Sequence, residues 1–465
     1  MARHLVLFAV ALSLAHGMVG GVEAQSQSRE TLVLENVHVI PMDGERVVRD
    51  VSVVVRGGEI AAISRPSVGV APAPAGAQVV DGRGGFLIPG LWDMHVHVND
   101  ESDLAMLVAH GVTGARDMFG SPVHLKLREL VLSGEILGPE LVLAGPIIEG
   151  EPPPELASVI STEGRRMVAT FEDGSAAVRE QHEAGYDFAK VYNNVPAEAY
   201  RGIVEEAKRL GIPVAGHVPF EVGLEGVIAH GQASIEHLRG YVWELVPAEA
   251  PQQPGADLRS RTLAWNYADA GRMKALAAET RAAGIWNTPT LTAGLIFKPA
   301  AEIDAYLEGP EGTFVEDDWK SVLRDRTQIA WLSNFSDEDF RAAERSLEVQ
   351  RELVRRLAEA GARLLAGTDR SPWGLSLHAE LRELVASGLT PYEALACATL
   401  YPADYLERDD GTGRVAVGSP ADLVLLGANP LEDISRTLQI EGVVRRGRWL
   451  DRASLDSLIE TRKAP

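Results

Sequence analysis

Between residues 86 and about 390 the chain alternates short apolar runs with longer amphipathic ones. Eight runs have the length and β-branched texture of buried strands. They are FLIPGLWDMHVH from Phe86, VTGARDM (112–118), ELVLAGP (140–146), FAKVY (188–192), PVAGHV (213–218), SIEHL (234–238), WNTPTL (286–291) and RLLAGTD (363–369). Between them, SPVHLKLRELVLSG, SAAVREQHEAG, PAEAYRGIVEEAKRLG and MKALAAETRAAG carry apolar residues at helical spacing and end in glycine. Eight alternations over about 280 residues predict a (β/α)8 TIM-like barrel over 86–404, a fold that typically takes roughly 250 residues.

The flanks have a different texture. TLVLENVHVI and VVRDVSVVVRGGEIAAI alternate β-branched and polar residues and carry Asp43-Gly44 and Gly57-Gly58 turns. After a helical stretch, Thr390–Leu406, the tail returns to turns and strands in GRVAVGSPADLVLLGANP and GVVRRGRWL. The economical arrangement is one composite β-sandwich built from 25–85 and 405–465. Two segments exceed a minimal barrel. Leu238–Arg272 is a long connection containing PAEAPQQPG. Residues 292–344 follow the seventh strand and carry Phe297, Tyr306, Phe314, Trp319, Trp331 and Phe335. Long loops after barrel strands lie over the site, so this segment reads as a lid with an aromatic inner wall. A surface subdomain with its own small aromatic core fits equally well.

Composition narrows the function. A formal net charge of −22 excludes a phosphate-binding surface of clustered Lys and Arg, and with it nucleic acid. Residues 1–24 have a basic start, the apolar run Leu5–Ala15 and small residues before Gln25, the pattern of a removable signal peptide. No later run is long enough to span a membrane. The expected location is therefore periplasmic or secreted, the expected partner is a small-molecule substrate, and a homo-oligomer is compatible with the sequence. The single cysteine, Cys397, cannot form an internal disulfide and sits in an apolar helical run, where it reads as core filling.

The chemistry lies at the strand ends. His95 and His97 are two residues apart on the first strand and so project from one face. Taken alone, that tripeptide is better explained as two half-exposed strand histidines. Lys190 on the fourth strand, His217 on the fifth, His237 on the sixth and Asp369 on the eighth reverse the preference. Barrel sites form at the C-terminal ends of the strands, so these six side chains would converge although they are scattered along the chain. A lysine buried in an apolar strand is costly when charged. Lys190 either pairs with Asp187 or has captured carbon dioxide as N6-carboxylysine, an anionic bidentate group able to bridge two cations. Two divalent ions about 3.5–4 Å apart activate a shared water near neutral pH. Asp369 would bind one ion and shuttle the proton. His, carbamate and carboxylate donors suit zinc and admit manganese, cobalt or iron.

These segments, together with GVTGARDM, LHAELRELVASGLTPYEALACAT and VGSPADLVLLGANP, resemble the amidohydrolase superfamily, in the branch of imidazolonepropionase-like proteins and Xaa-Pro dipeptidases. The motifs occur in the family's order over nearly the whole mature chain. The resemblance implies that His95, His97, carboxylated Lys190 and Asp369 hold one metal, and that His217 and His237 hold the second. Tyr192 matches a position that in relatives can meet the substrate; it either does so here or packs at the barrel mouth. His378, in SLHAEL, fits the branch's pattern, where it supports Asp369 or caps its helix, with support preferred, and it is grouped with Tyr192 as a substrate-binding residue. Arg116 and Asp117 read as structural. Dipeptidase-like relatives often carry a Gly/His-rich segment after the third strand. Here AGPIIEGEPPP stands instead, with Glu149 and Glu151 and no histidine, which weakens a transfer of dipeptide specificity. The expected function is an exported binuclear amidohydrolase cleaving an amide or peptide-like C–N bond. The alternatives are a mononuclear deaminase or cyclic-amide hydrolase, against which Lys190 argues, and a non-catalytic binding barrel.

Overall fold

The computed structural model describes residues 31–65, 76–154, 157, 161–309, 311–315, 317–326, 329 and 332–463. The expected signal peptide, residues 1–24, lies outside them. Among the described residues no helix is long and apolar enough to cross a membrane.

The chain begins with β1 (Thr31–Val39), β2 (Val48–Arg56), β3 (Glu59–Ser64) and β4 (Gln78–Pro89). β5 (Leu91–Val96), β6 (Val112–Asp117) and β7 (Glu140–Leu143) form a parallel three-stranded sheet. There follow β8 (Ile148–Glu149), β9 (Arg166–Met167), β10 (Ala189–Val191), β11 (Val214–Gly216), β12 (Ser234–Glu236), β13 (Trp286–Thr288) and β14 (Arg363–Leu364), a parallel sheet of order β14-β13-β12-β11-β10-β8-β9. The two parallel sheets meet on one side where Ala144 bridges Phe188. On the other side the Met94 N–H donates to the Ala366 carbonyl (2.9 Å) and the Asp369 N–H to that of His95 (2.8 Å). The result is a TIM-barrel-like α/β fold. Its helices lie where the amphipathic runs predict. Four of them end at Gly134, Gly185, Gly211 and Gly284, all in the left-handed conformation that glycine adopts at least cost. The helix Phe171–Ala184 starts a turn earlier than expected, because a reciprocal Thr170–Asp173 cap fixes its first turn.

The last strands, β15 (Leu423–Leu426), β16 (Ile440–Arg445) and β17 (Arg448–Asp451), join the first four in one sheet of order β17-β16-β15-β4-β1-β2-β3. A two-layered sandwich was expected; the seven strands form a single hydrogen-bonded sheet. Register shifts in β1 bend it. The β3 edge then returns to the segment before β15, where Gly418 N–H donates to Ile60 O and Ala421 N–H to Gly58 O, each at 2.8 Å. Leu34, Val37, Val53, Leu87, Leu423 and Val444 fill the space so enclosed.

Two further expectations change. FLIPGLW is two strands in two sheets, broken at Gly90. Phe86–Pro89 pairs with β15, while β5 opens the barrel. The Gly90 N–H donates to the Asp422 carbonyl, and a Cβ there would lie 2.0 Å from Thr113 Oγ1. Thr390–Leu406 is two helices, Pro391–Cys397 and Leu400–Tyr405. The carbonyls of Cys397 and Ala398 accept from the N–H groups of Ala366 and Trp92, and so leave the helical ladder.

The segment after β13 combines both readings of its aromatics. Phe297, Phe335 and Phe340 pack into a separate apolar cluster with Ile329 and Leu332. Tyr306 and Phe314 instead line a cavity of about 460 Å³ beside Asp369. The side chain of Trp319 and all of Trp331 lie outside the described residues.

Candidate metal centre

Five of the six predicted donors come from strand ends on one rim. His95 is the fifth residue of β5, and His97 follows its last residue. Lys190 is the middle residue of β10. His217 and His237 each follow the last residue of their strands, β11 and β12. Asp369 comes from the loop after β14, pinned by its own N–H to the His95 carbonyl. All six meet. The Asp369 carboxylate lies 3.1 Å from His97 Nε2, 3.8 Å from His95 Nε2 and 3.7 Å from His237 Nε2. Lys190 Nζ is 3.5 Å from His95 Nε2. The His237 ring sits 4.6 Å from that of His95 and 4.9 Å from that of His217, centroid to centroid. His95, His97 and Asp369 alone bring three ligand atoms within 4.8 Å of one another.

The outer nitrogens of three imidazoles are all occupied. His95 Nδ1 meets Glu236 Oε2 at 2.8 Å, His217 Nδ1 meets Asn193 Oδ1 at 2.8 Å and His237 Nδ1 meets Thr290 Oγ1 at 2.7 Å. A carboxylate and an amide oxygen only accept. The Thr290 hydroxyl gives its single proton to the Pro289 carbonyl and so accepts as well. Each Nδ1 therefore carries the proton, and each Nε2 lone pair faces the centre. Glu236 is itself held by Arg116 (2.8 Å) and Ser234 (2.6 Å), with Arg116 also reaching the Met94 carbonyl and Thr288. Asp93 ties the same strand to the loop bearing Asp369, accepting from the N–H and hydroxyl of Thr368 and from the N–H of His95.

Electrostatics follow from this packing. Burial pulls His95 down to about 4 and so keeps it neutral at pH 7. His217 and His237 are depressed for the same reason, burial first and neighbouring cationic groups second. Burial also brings Lys190 down to about 8. Burial opposes ionisation of Asp369 and Glu236. Arg116 and the His95 Nδ1–H overcome it for Glu236, whose carboxyl stays below the usual range. The backbone is strained at the same places: His237, Leu238, Thr290 and Asp369 have φ of 59°, 53°, 51° and 48°. Gly367 leaves room for this turn, since a Cβ there would lie 2.8 Å from that of His95.

The donor set fits divalent cations. His217 Nε2 is a buried nitrogen without a hydrogen-bond partner, a costly state that a ligated ion would relieve. Neutral imidazoles, a carboxylate and a lysine amine offer mixed nitrogen and oxygen ligation. Lys190 does not pair with Asp187, whose carboxylate is taken by Arg128 and the Leu143 N–H.

Tyr192 stacks on His217 at 3.9 Å and is covered by Arg165 at 4.5 Å, at the mouth of a second cavity. His378 is a correction. It is fully buried away from the rim, with Nδ1 on Thr437 Oγ1 (2.9 Å) and Nε2 on the His110 carbonyl (3.0 Å), where it joins its helix to the turn Ile434–Leu438. Both ring nitrogens are used, and neither orients Asp369. Glu149 is buried against Arg165 (2.8 Å) and accepts the Asn194 N–H, so it braces the loop after β10. Cys397 is buried, as expected of core filling. The supporting Asp93, Asn193, Glu236 and Thr290 were not singled out from the sequence. The available signals were acidic residues inside strand runs, Asp93 in GLWDMHV and Glu236 in SIEHL.

Residues 86–450 match the sequence profile of the amidohydrolase family. An imidazolonepropionase of Anaeromyxobacter sp. (strain K) is 26% identical over 477 residues, covering 94% of this chain and all of the relative. Among solved structures, a bottromycin amidohydrolase superposes with a TM-score of 0.71 at 25% identity, covering 93% of this chain and 90% of that one. A structure described as a putative prolidase from Bifidobacterium longum has the same fold, with a TM-score of 0.66 at 23% identity over 94% of this chain and 99% of that one.

Proposed function

Because the chain belongs to the amidohydrolase family, we propose that it is an exported, binuclear metal-dependent hydrolase of an amide or peptide-like C–N bond in a small molecule. The observation that carries this reading is the three imidazoles whose protons are held outward, grouped around Lys190 and Asp369. His95, His97, Lys190 and Asp369 would hold one ion and His217 and His237 the other, with zinc expected. Divalent ions bound there would polarise the substrate carbonyl and acidify a water.

The residues do the rest. Lys190, brought down to about 8, has an amine that is neutral in a fraction on the order of a tenth at pH 7. That nitrogen adds to the carbon of carbon dioxide and releases one proton, leaving the N6-carboxylysine anion. Burial, which penalises the ammonium, favours this exchange provided that cations meet the new charge. Asp369 is about a third accessible, with a side-chain exposure of 31%, and so reaches the cavities on either side. Its carboxylate takes the proton of the attacking water and passes it to the nitrogen of the leaving amine. Tyr192, at the mouth beside His217, packs against the substrate. Export rests on residues 1–24.

Replacement of Lys190 by alanine tests the reading. Metal analysis should find two ions per wild-type chain and no more than one in the variant, with loss of amide hydrolysis. ¹³C-bicarbonate should label a carbamate carbon in the wild type alone. Full activity in the variant would refute the bridging role.

A further inference from the structure

We propose that Glu380, on the helix Leu375–Ala386, is a positioning residue for the metal centre: it caps the turn after β13 from outside and so frees the Thr290 hydroxyl to orient His237. This rests on the metal-dependent reading above and adds to it a residue outside the donor set.

Glu380 is a fully buried carboxyl that the chemistry above does not use. Its oxygens accept from the N–H groups of Leu291 (3.0 Å) and Thr292 (2.8 Å), which belong to a different element. Two other fully buried glutamates, Glu149 and Glu236, face Arg165 and Arg116. Glu380 has Leu291 and Thr292 where those have an arginine, and Glu383 is close enough to repel it. Burial raises its carboxyl to about 8. A carboxyl raised on folding costs stability at neutral pH, so stability does not account for its place here.

The two N–H groups it holds open the short 3-10 helix Leu291–Phe297. Thr290 stands at the N-cap of that helix, where a threonine oxygen commonly accepts such an N–H. Thr290 makes no such bond. Its hydroxyl accepts from His237 Nδ1 at 2.7 Å and donates to the Pro289 carbonyl at 2.8 Å. Glu380 does the capping instead, and the hydroxyl is turned to the metal ligand. Thr290 also holds φ of 51°, opposite His237 at 59°. Such backbone at a β-branched residue persists only where its neighbours fix it. A carboxyl gripping the next two N–H groups supplies that constraint. In either charge state both carboxyl oxygens can accept, whereas glutamine at 380 would oppose one N–H with its NH₂ group. The released N–H then competes for the Thr290 oxygen. His237 loses the acceptor that keeps its proton on Nδ1 and its Nε2 lone pair inward. His95 and His217 keep their own acceptors, Glu236 and Asn193, so the loss is confined to His237.

The test loads wild type, Glu380→Gln, Thr290→Val and the double variant with zinc and measures the more weakly held ion by chelator competition. Glu380→Gln should weaken it about tenfold and Thr290→Val about tenfold or more, the usual range for a partner behind a ligand. The double variant should match Thr290→Val within about threefold, because Glu380 acts through Thr290. His378→Ala, on the same helix, should stay within about twofold of wild type. No loss in Glu380→Gln, losses that multiply in the double variant, or an equal loss in His378→Ala overturns the proposal. Glu380→Asp, too short to reach both N–H groups, replaces Glu380→Gln if that chain does not fold. Nitrogen-15 histidine spectra of the metal-free protein give a second readout, with the His237 ring identified by its absence in His237→Gln. That ring should carry its proton on Nδ1 in wild type and His378→Ala, and partly on Nε2 in Glu380→Gln and Thr290→Val. An unchanged tautomer in Glu380→Gln overturns the proposal. If the wild type binds fewer than two ions, the function proposed above has failed, and these spectra alone decide.

Discussion

Replacing Glu236 by glutamine probes how His95 is prepared as a ligand. Glu236 is fully buried. One oxygen accepts from Arg116 (2.8 Å) and Ser234 (2.6 Å), the other from His95 Nδ1 (2.8 Å). Glutamine keeps one acceptor and converts the other to a donor. With its oxygen toward Arg116, its amide N–H opposes the His95 N–H, and relief requires moving the imidazole proton to Nε2, the inward nitrogen. With the amide reversed, Arg116 and Ser234 face an NH₂ group instead. One buried donor is orphaned either way, and Arg116 loses its counter-charge. Halving a buried ion pair costs about 3–5 kcal/mol. Taking about 4 kcal/mol, and an unfolding entropy of about 2.1 cal/mol/K per residue over a chain this long, Tm falls by about 4 °C. Metal affinity should fall about 10- to 100-fold, the usual range for a partner one layer behind a ligand. Chelator competition measures the second effect and thermal melts of metal-free and metal-loaded protein the first. Arg116→Met with Glu236→Leu should recover most of the stability, because no buried charge is left unpaired, yet not the metal affinity, because His95 still lacks its acceptor. Wild-type affinity and Tm in E236Q would show that Glu236 does not set the His95 tautomer.

Two other positions separate stability from chemistry. His378→Ala removes bonds to Thr437 and the His110 carbonyl and should cost about 1–3 kcal/mol in a urea melt. Its kcat/KM should stay within about twofold of wild type, and a loss above about tenfold would return His378 to the site. Glu380, buried with the N–H groups of Leu291 and Thr292 on its oxygens, is raised by burial from 4.5 to about 8. A carboxyl raised on folding contributes fully below its unfolded value and loses that contribution as pH rises to the folded one. Glu380→Gln should therefore gain on the wild type by up to about 1.4 kcal/mol per pH unit between pH 5 and 8, and level off above. Urea melts at pH 5, 6.5 and 8 check this, and a pH-independent difference refutes it.

The strand and helix rhythm is legible because each element satisfies most of its hydrogen bonds and burial locally. All eight apolar runs contain an observed strand, and the expected glycines end their helices. What is lost is set by distant neighbours. Phe86–Pro89 and Leu91–Val96 have one apolar texture, and only Thr113 and the Asp422 carbonyl force the change of sheet at Gly90. The break after Cys397 has two causes: Pro402 cannot donate to the Ala398 carbonyl four residues back, and the barrel strands take the Cys397 and Ala398 carbonyls instead. The bend that makes one sheet enclose its own core depends on register shifts in β1, which alternation of β-branched residues does not encode.

The site divides along the same line. Histidine, lysine and aspartate at the ends of apolar strands are conspicuous by type, so the six candidate donors can be named without coordinates. Their supports cannot, because alternation misplaces them. On a regular strand Glu236 and His237 would face opposite ways. His237 instead lies just beyond β12 with φ of 59°, and the turn brings its ring inward above the Glu236 carboxylate. One residue then supplies a donor to the centre while its predecessor orients a donor on another strand, His95. Asp369 repeats the device at φ 48°, where Gly367 admits the turn and the His95 carbonyl anchors it. Left-handed backbone at non-glycine residues costs about 1–3 kcal/mol each and persists only where the surroundings over-determine it. Here the surroundings are the Glu236–Arg116 pair and the Asp93–Thr368 tie, so the ligand geometry depends on the layer beneath it.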